Sequence, residues 1–225
     1  MSVHESLTTA AVKALFTEEI TAAGGTVSDT YDDGTRLFTR SILPQVREVR
    51  PADAVQGGVA LRAAAGEVWV HPYVFRQVCR NGAIMAHALQ THHLAEQDFA
   101  TPEEAAEAVR HAVGVCCTPD AFTTAAEQMR SARDAAADMA INLLPYLSRR
   151  PGGADSAVLR AIMERFFQDA DRSRFGLMNA VTSVARDTPD PELRWRLEEL
   201  GGGIAAGRKP VPQPDDSAAE ALLVG

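Results

Sequence analysis

The chain has 225 residues, 46% hydrophobic and 23% charged, with a formal net charge of −8. That length suits one sizeable domain with a real core, and the acidity argues against a generally basic nucleic-acid binder. No window approaches the ~18 uninterrupted apolar residues of a membrane span. Three cysteines, an odd count, argue against a disulfide framework. The opening MSVHESLTTAAVKALFTEEI lacks the basic-then-apolar layout of a signal peptide, so a cytoplasmic protein without membrane contact is expected.

Leu7 to Ala23 reads as an amphipathic helix, because Val12, Leu15, Phe16 and Ile20 recur at helical spacing before Gly24-Gly25. Asp32-Asp33-Gly34 is a tight-turn signal. Arg36 to Ile42 follows as a strand, Pro44 interrupts it, and Val46 to Arg50 forms a separate short strand. In a strand alternate side chains share a face, so Arg36, Phe38 and Arg40 point the same way. Such interleaving suits phosphate contacts and base stacking on single-stranded DNA. The alternative places Phe38 in the core and the arginines at the sheet rim.

Val55 to Val78 reads as two strands around Ala64-Ala65-Gly66-Glu67. Val68 and Val70 share one face, and Trp69 and His71 the other. Pro72 marks an edge or a bulge. Asn81-Gly82 is expected to end the sheet at a corner whose residues tolerate left-handed backbone angles, with Asn81 capping a helix over Ala83–His92. Cys79 reads as a small buried hydrophobe. The result is a mostly antiparallel sheet of three to five strands.

After Thr101 the sequence is helical. Thr101-Pro102-Glu103-Glu104 is a capping box with proline at the first helical position. Gly114 can stop that helix, and Thr118-Pro119 starts another that runs to Leu144. Arg149 to Gly153 is a turn, Asp155 to Ala170 a helix, and a break near Asp171–Ser173 precedes a helix from Arg174 to Arg186. Asp190-Pro191 caps a last helix ended by Gly201-Gly202-Gly203. The expected fold is α+β: an N-terminal helix, an antiparallel sheet, then a helical half. One domain spans 1–206, sheet-rich to residue 95 and helical from 96, and a flexible tail covers 207–225.

Charge is uneven along this plan. Residues 36–80 carry seven arginines against Glu48, Asp53 and Glu67, for +4; residues 96–140 carry nine acids against three arginines, for −6. A basic sheet in an acidic protein is what an anion-binding face needs, although only Lys13 and Lys209 are lysines, so the arginine excess also fits a compositional bias. Candidate nucleic-acid contacts are Arg36, Arg40, Arg62, Arg76 and Arg80 for phosphates, with Phe38, Trp69 and Tyr73 for bases.

Metal and nucleophile chemistry find no motif. The histidines and cysteines show no C-x-x-C or H-x-x-x-H spacing, so no metal and no cofactor is expected. No G-x-S-x-G and no P-loop occurs, and an enzyme is the less favoured class. Gly176 and Asn179 within Arg174–Thr182 are poor helix formers inside a helical pattern, which a tight contact, a backbone hydrogen bond or a ligand contact would offset.

Three segments taken in order carry a resemblance: Gly57-Gly58-Val59 through Gly66; Pro72 through Cys79-Arg80-Asn81-Gly82; and Phe175-Gly176-Leu177-Met178-Asn179-Ala180-Val181-Thr182. With Leu197 to Gly202 they resemble the phage/plasmid-like family of unknown function (domain of unknown function nine-three-two), over roughly residues 25–205. Arg62-Ala63-Ala64-Ala65 departs from the polar turn common in that family. The resemblance singles out Cys79, Asn81, Gly82, Gly176, Asn179 and Thr182, and implies association with a mobile element. The helix-then-sheet order is also broadly similar to single-strand annealing proteins, an analogy of fold. The leading expectation is therefore a non-enzymatic protein of a mobile element that binds single-stranded DNA, as an annealing or recombination accessory. Its rivals are a homo-oligomeric or protein-binding component using the acidic helices 102–147, and an enzyme built on Cys79, Asn81 and Asn179.

Overall fold

The structure, a computed structural model, describes residues 7–77, 79–86, 88, 92–138 and 155–207. Helix α1 (Thr9–Ala22) starts at Thr8, whose hydroxyl accepts from the Ala11 amide, and buries Val12, Phe16 and Ile20 at i, i+4, i+8. Seven strands follow: β1 (Thr26–Asp32), β2 (Arg36–Ile42), β3 (Val46–Arg50), β4 (Asp53–Ala64), β5 (Glu67–Arg76), β6 (Asn81–Ile84) and β7 (His92–Ala95). The helical half comprises α2 (Pro102–Cys116), α3 (Pro119–Arg133), α4 (Asp155–Gln168), α5 (Arg174–Arg186) and α6 (Pro191–Ala205).

All strand pairs are antiparallel, in the order β1-β2-β4-β5-β6. The long central strands β4 and β5 each carry an extra partner. β3 lies along the start of β4, pairing Val46 with Gln56, and β7 lies along the start of β5, pairing His93 with Trp69. Ala65 and Gly66, both at positive φ (52° and 79°), join β4 to β5 in the tight turn that antiparallel twist favours.

Period-two alternation separates the two faces of this sheet. On one face Leu37, Val59, Leu61, Ala63, Val68 and Val70 pack under α1 and α2. Farther along the same face Val55, Val74 and Ala83 join the core formed with α3 and α5. On the other face Phe38, Ala60, Tyr73 and Ile84 lie beneath Trp195 of α6. Helix α5 is the centre of the helical half, buried from Phe175 through Thr182.

The expected α+β class, the N-terminal helix and the helical second half are as the sequence indicates, but the sheet has seven strands. The two unforeseen ones, β6 and β7, take up the two ends of the stretch expected to be a helix over 83–92, at Ala83–Ile84 and at His92. Asn81–Ile84 is wholly buried and completes the β5 ladder, and four apolar-rich residues are too few for periodicity to distinguish strand from helix. Two helices also pass through glycines expected to stop them: α2 continues beyond Gly114 to Cys116, and α6 beyond Gly201-Gly202-Gly203 to Ala205. At Gly202 a Cβ would stand 1.9 Å from the Ile84 carbonyl oxygen, so the glycine serves close packing against β6. Helix α3 ends at Arg133, short of the expected Leu144, and Ala136 then bridges to Ser173. The expected continuation through 139–144, the turn at 149–153 and the tail from 208 lie outside the described residues. Among the described residues no helix is long and apolar enough to cross a membrane.

Candidate functional site

The sheet face carrying Arg36, Phe38, Arg40, Arg62, Trp69 and Tyr73 is covered over Phe38, Arg40, Arg62 and Tyr73. Helix α6 lays a row of charged side chains over it, because its apolar Leu197, Leu200 and Ile204 turn toward the helical core and leave Glu192, Arg194 and Glu198 facing the strands. Arg40, only 2% exposed, donates through Nε to Glu198 at 2.7 Å and lies 3.3 Å from Asp29. Arg194 contacts the same two acids at 3.2 and 2.8 Å, closing a square of two arginines and two carboxylates. Burial opposes charge on Arg40, yet the Glu198 carboxylate keeps its pKa raised. Arg62 meets Glu192 at 3.3 Å, and its guanidinium lies over Trp69.

The aromatic candidates are equally engaged. Phe38 is fully buried and packs against Trp195. Trp69 is half-buried, with Arg62 on one side at 4.6 Å and the His93 ring stacked at 4.9 Å. Tyr73 is buried, and burial pushes its hydroxyl pKa up. Its phenol fills the place a Cβ would take on Gly82, with the oxygen 2.0 Å from that position. Gly82 is thus a glycine because of Tyr73, and it sits inside β6 rather than at a corner.

Arg36 is exposed and paired with Asp33. Arg76 is buried and grips Asp53 with two hydrogen bonds of 2.7 and 2.6 Å. Arg50 bonds both Asp53 and Asp171 at 3.0 Å, and the Phe175 ring receives both guanidiniums, Arg50 at 4.7 Å and Arg76 at 5.3 Å. Burial alone would raise the Asp53 carboxyl pKa, but hydrogen bonds from Arg76 and Arg50 hold it below the ordinary value.

Of the eight proposed contacts, five are therefore buried, and Arg36, Trp69 and Arg80 retain exposure without sharing a groove. Arg36 lies where β2 begins, beside the end of β4, while Arg80 lies beyond the far end of β5. The sequence pattern assigned the shared face correctly but carried no sign that α6 covers it.

The motif residues do converge, across nearly a hundred positions of sequence. Asn81 is no helix cap: its Nδ2 donates to Thr182 Oγ at 2.7 Å, and that hydroxyl donates to the Met178 carbonyl at 2.9 Å. Asn179 is 7% exposed, and both its carboxamide atoms lack a hydrogen-bond partner among the described residues, as does Asn81 Oδ1. The Gly176 amide donates to the Ser173 hydroxyl that caps α5. Cys79 is half-buried in the β5–β6 turn, rather than in the core, with Arg76 Nη1 3.2 Å from its sulfur.

That turn ends at Arg80, which is exposed and adopts φ 51°, a left-handed conformation that non-glycine residues rarely take. Arg80 makes no hydrogen bond or ion pair among the described residues. Arg186 reaches the turn from α5 and donates to the Cys79 carbonyl at 2.7 Å. Its other nitrogens bond Asp187, as does Arg165, which also bonds Ser183 at 2.8 Å. Hydrogen bonds from Arg186 and then Arg165 lower the Asp187 carboxyl pKa to about 2. Two cations thus share one carboxylate, and Arg186 links them to the turn that carries Arg80. Arg165 and Arg186 were not singled out from sequence; Arg186 was detectable as lying seven residues after Asn179, on the same stripe of α5.

The corner presents positive charge at its rim and unpaired carboxamides beneath. It has the means to bind an anion, but among the described residues its Cys79 has neither histidine nor unengaged carboxylate as a hydrogen-bond partner to act as a base. Compared with known proteins, the chain matches no family, no curated protein and no solved structure at a meaningful level.

Proposed function

We propose that the protein is a non-enzymatic single-stranded-DNA-binding component of a mobile element, and that it binds at the β5–β6 corner instead of on the sheet face. The observation that carries this is Arg80: exposed, unpaired among the described residues, and held in a strained backbone conformation beside Arg186 and Arg165. Ala65 adopts the same left-handed backbone in the β4–β5 turn, so the mark of a ligand here is the unpaired charge rather than the backbone. The resemblance of the Cys79–Gly82 and Asn179–Thr182 segments supports the mobile-element assignment, since these segments adjoin the corner.

Fluorescence anisotropy with a single-stranded oligonucleotide across a salt series tests it. Binding is expected to weaken with salt, and replacing Arg80, Arg165 and Arg186 by alanine lowers the log–log salt slope by about 2. A flat titration at low salt removes the proposal. If light scattering then gave a defined oligomer, the protein-interaction role would take its place, with Glu103, Glu104 and Glu107 exposed on α2 as a contact surface.

A further inference from the structure

The cations of the corner account for the phosphate contacts proposed above, but not for the Asn179 carboxamide and the Asn81 oxygen, which lack partners among the described residues. A buried polar atom left without a partner forfeits the hydrogen bond it would make in water. Three such atoms occur together here: Asn179 Nδ2, Asn179 Oδ1 and Asn81 Oδ1, on side chains that are 7% and 3% exposed as residues. The two asparagines are fixed relative to each other, because Asn81 Nδ2 is committed to Thr182 Oγ. What remains open is one amide donor group and two acceptor oxygens.

Along α5, Asn179, Ser183 and Arg186 follow at i, i+4 and i+7 and so share a face. The rise of 1.5 Å per residue sets Ser183 about 6 Å and Arg186 about 10 Å from Asn179 along the axis. Arg165 joins this stripe at Ser183, and Arg186 ties it to the Cys79 carbonyl. A nucleotide matches that order, with its phosphate at the arginine end and its base at the asparagine end. The carboxylate already paired with these arginines is Asp187, exposed and in surface ion pairs worth little individually, which a phosphate can displace.

We infer that the corner is a nucleotide site, with phosphate held by Arg80, Arg165 and Arg186 and a base edge read by the Asn81 and Asn179 carboxamides. It rests on the nucleic-acid proposal above and specifies what that site recognises. The open groups also set a preference. A base with an exocyclic amine beside a ring nitrogen offers two N–H donors to the two Oδ1 atoms and one acceptor to Nδ2, as adenine and cytosine do. Thymine, with two carbonyls and one N–H, leaves an acceptor oxygen without a donor.

The test uses the full chain, 15N-labelled, with three probes: inorganic phosphate, nucleosides and 5′-mononucleotides. Only Asn81, Asn142 and Asn179 contribute asparagine side-chain amides, so their signals can be assigned. Adenosine and cytidine 5′-monophosphates are expected to shift the Asn179 amide signals and to bind about tenfold more tightly than phosphate or thymidine monophosphate. Asn179→Ala reduces nucleotide affinity to the level of phosphate, and the wild-type spectra carry the test if that variant does not fold. Unchanged Asn179 signals at about 10 mM nucleotide overturn the inference and leave internal water as the partner of these amides. Phosphate binding and a positive oligonucleotide titration without an Asn179 shift would remove the base site alone. An Asn179 shift with a flat oligonucleotide titration would retain a mononucleotide site and remove the DNA proposal.

Discussion

The arginines under α6 and those around the β5–β6 turn are the same residue type in opposite circumstances. Arg40 and Arg62 are enclosed and matched with carboxylates supplied from far along the chain, at Glu198 and Glu192. Arg80 is exposed with no ion-pair partner among the described residues, while Arg165 and Arg186 share Asp187. The first group holds the last helix to the sheet, and the second offers charge outward. Between these two groups the difference is whether α6 covers the arginine, and that depends on the helical half rather than on the strand in which the arginine sits.

If the difference is as described, the largest effect of breaking it lies in the covered layer. Glu198→Ala leaves Arg40 with only its longer contact to Asp29 and is expected to destabilise the fold by about 3 kcal/mol, measured by urea unfolding. Oligonucleotide affinity at a temperature where the variant remains folded should be unchanged. A loss below 0.5 kcal/mol, on the order of an ordinary surface pair, would make the two groups alike.

Acid sharpens the comparison next. Asp53 has its pKa below the ordinary 3.8 when folded, so on lowering the pH the unfolded chain takes up the proton first. Its contribution to stability is complete above the ordinary value and is lost as pH falls from about 4 toward the folded value. Urea midpoints should therefore drop over that interval, and Asp53→Asn should start lower and fall less. Asp187 is depressed too, but solvent around its exposed pairs leaves it little leverage on stability.

The smallest effect has the opposite sign. Arg80→Gly relieves the left-handed backbone and should stabilise the protein by about 0.5–1 kcal/mol, seen as a higher melting temperature. The same substitution should weaken oligonucleotide binding. A variant both more stable and equally tight in binding would strip the corner of its proposed role.

Much of this architecture was legible in sequence because its signals are local. Thr101, Thr118 and Asp190 each cap the helix that follows them, and the alternation of Val68 and Val70 with Trp69 and His71 separated the two faces of β5. What was hidden depended on distant partners. β6 is a strand because β5 lies beside it, and Gly202 continues a helix because Ile84 is in contact with it. Nothing near Phe38 or Arg40 foretells that Trp195 and Glu198 cover them. Of the site, Asn81 and Asn179 were singled out separately, but their meeting through Thr182 belongs to the tertiary fold. Arg165 had no local mark at all.

The phenol seated on Gly82 ties two positions into a single heritable unit. With the Tyr73 oxygen 2.0 Å from where a methyl would begin, and the ring carbons Cζ and Cε2 at 2.2 and 2.6 Å, even phenylalanine at 73 leaves no room for a side chain at 82. Diverging descendants of this chain can alter residue 82 only after, or together with, loss of the aromatic ring at 73. The pair would therefore persist or vanish jointly, a correlated trace by which distant kin can be recognised after overall identity has faded.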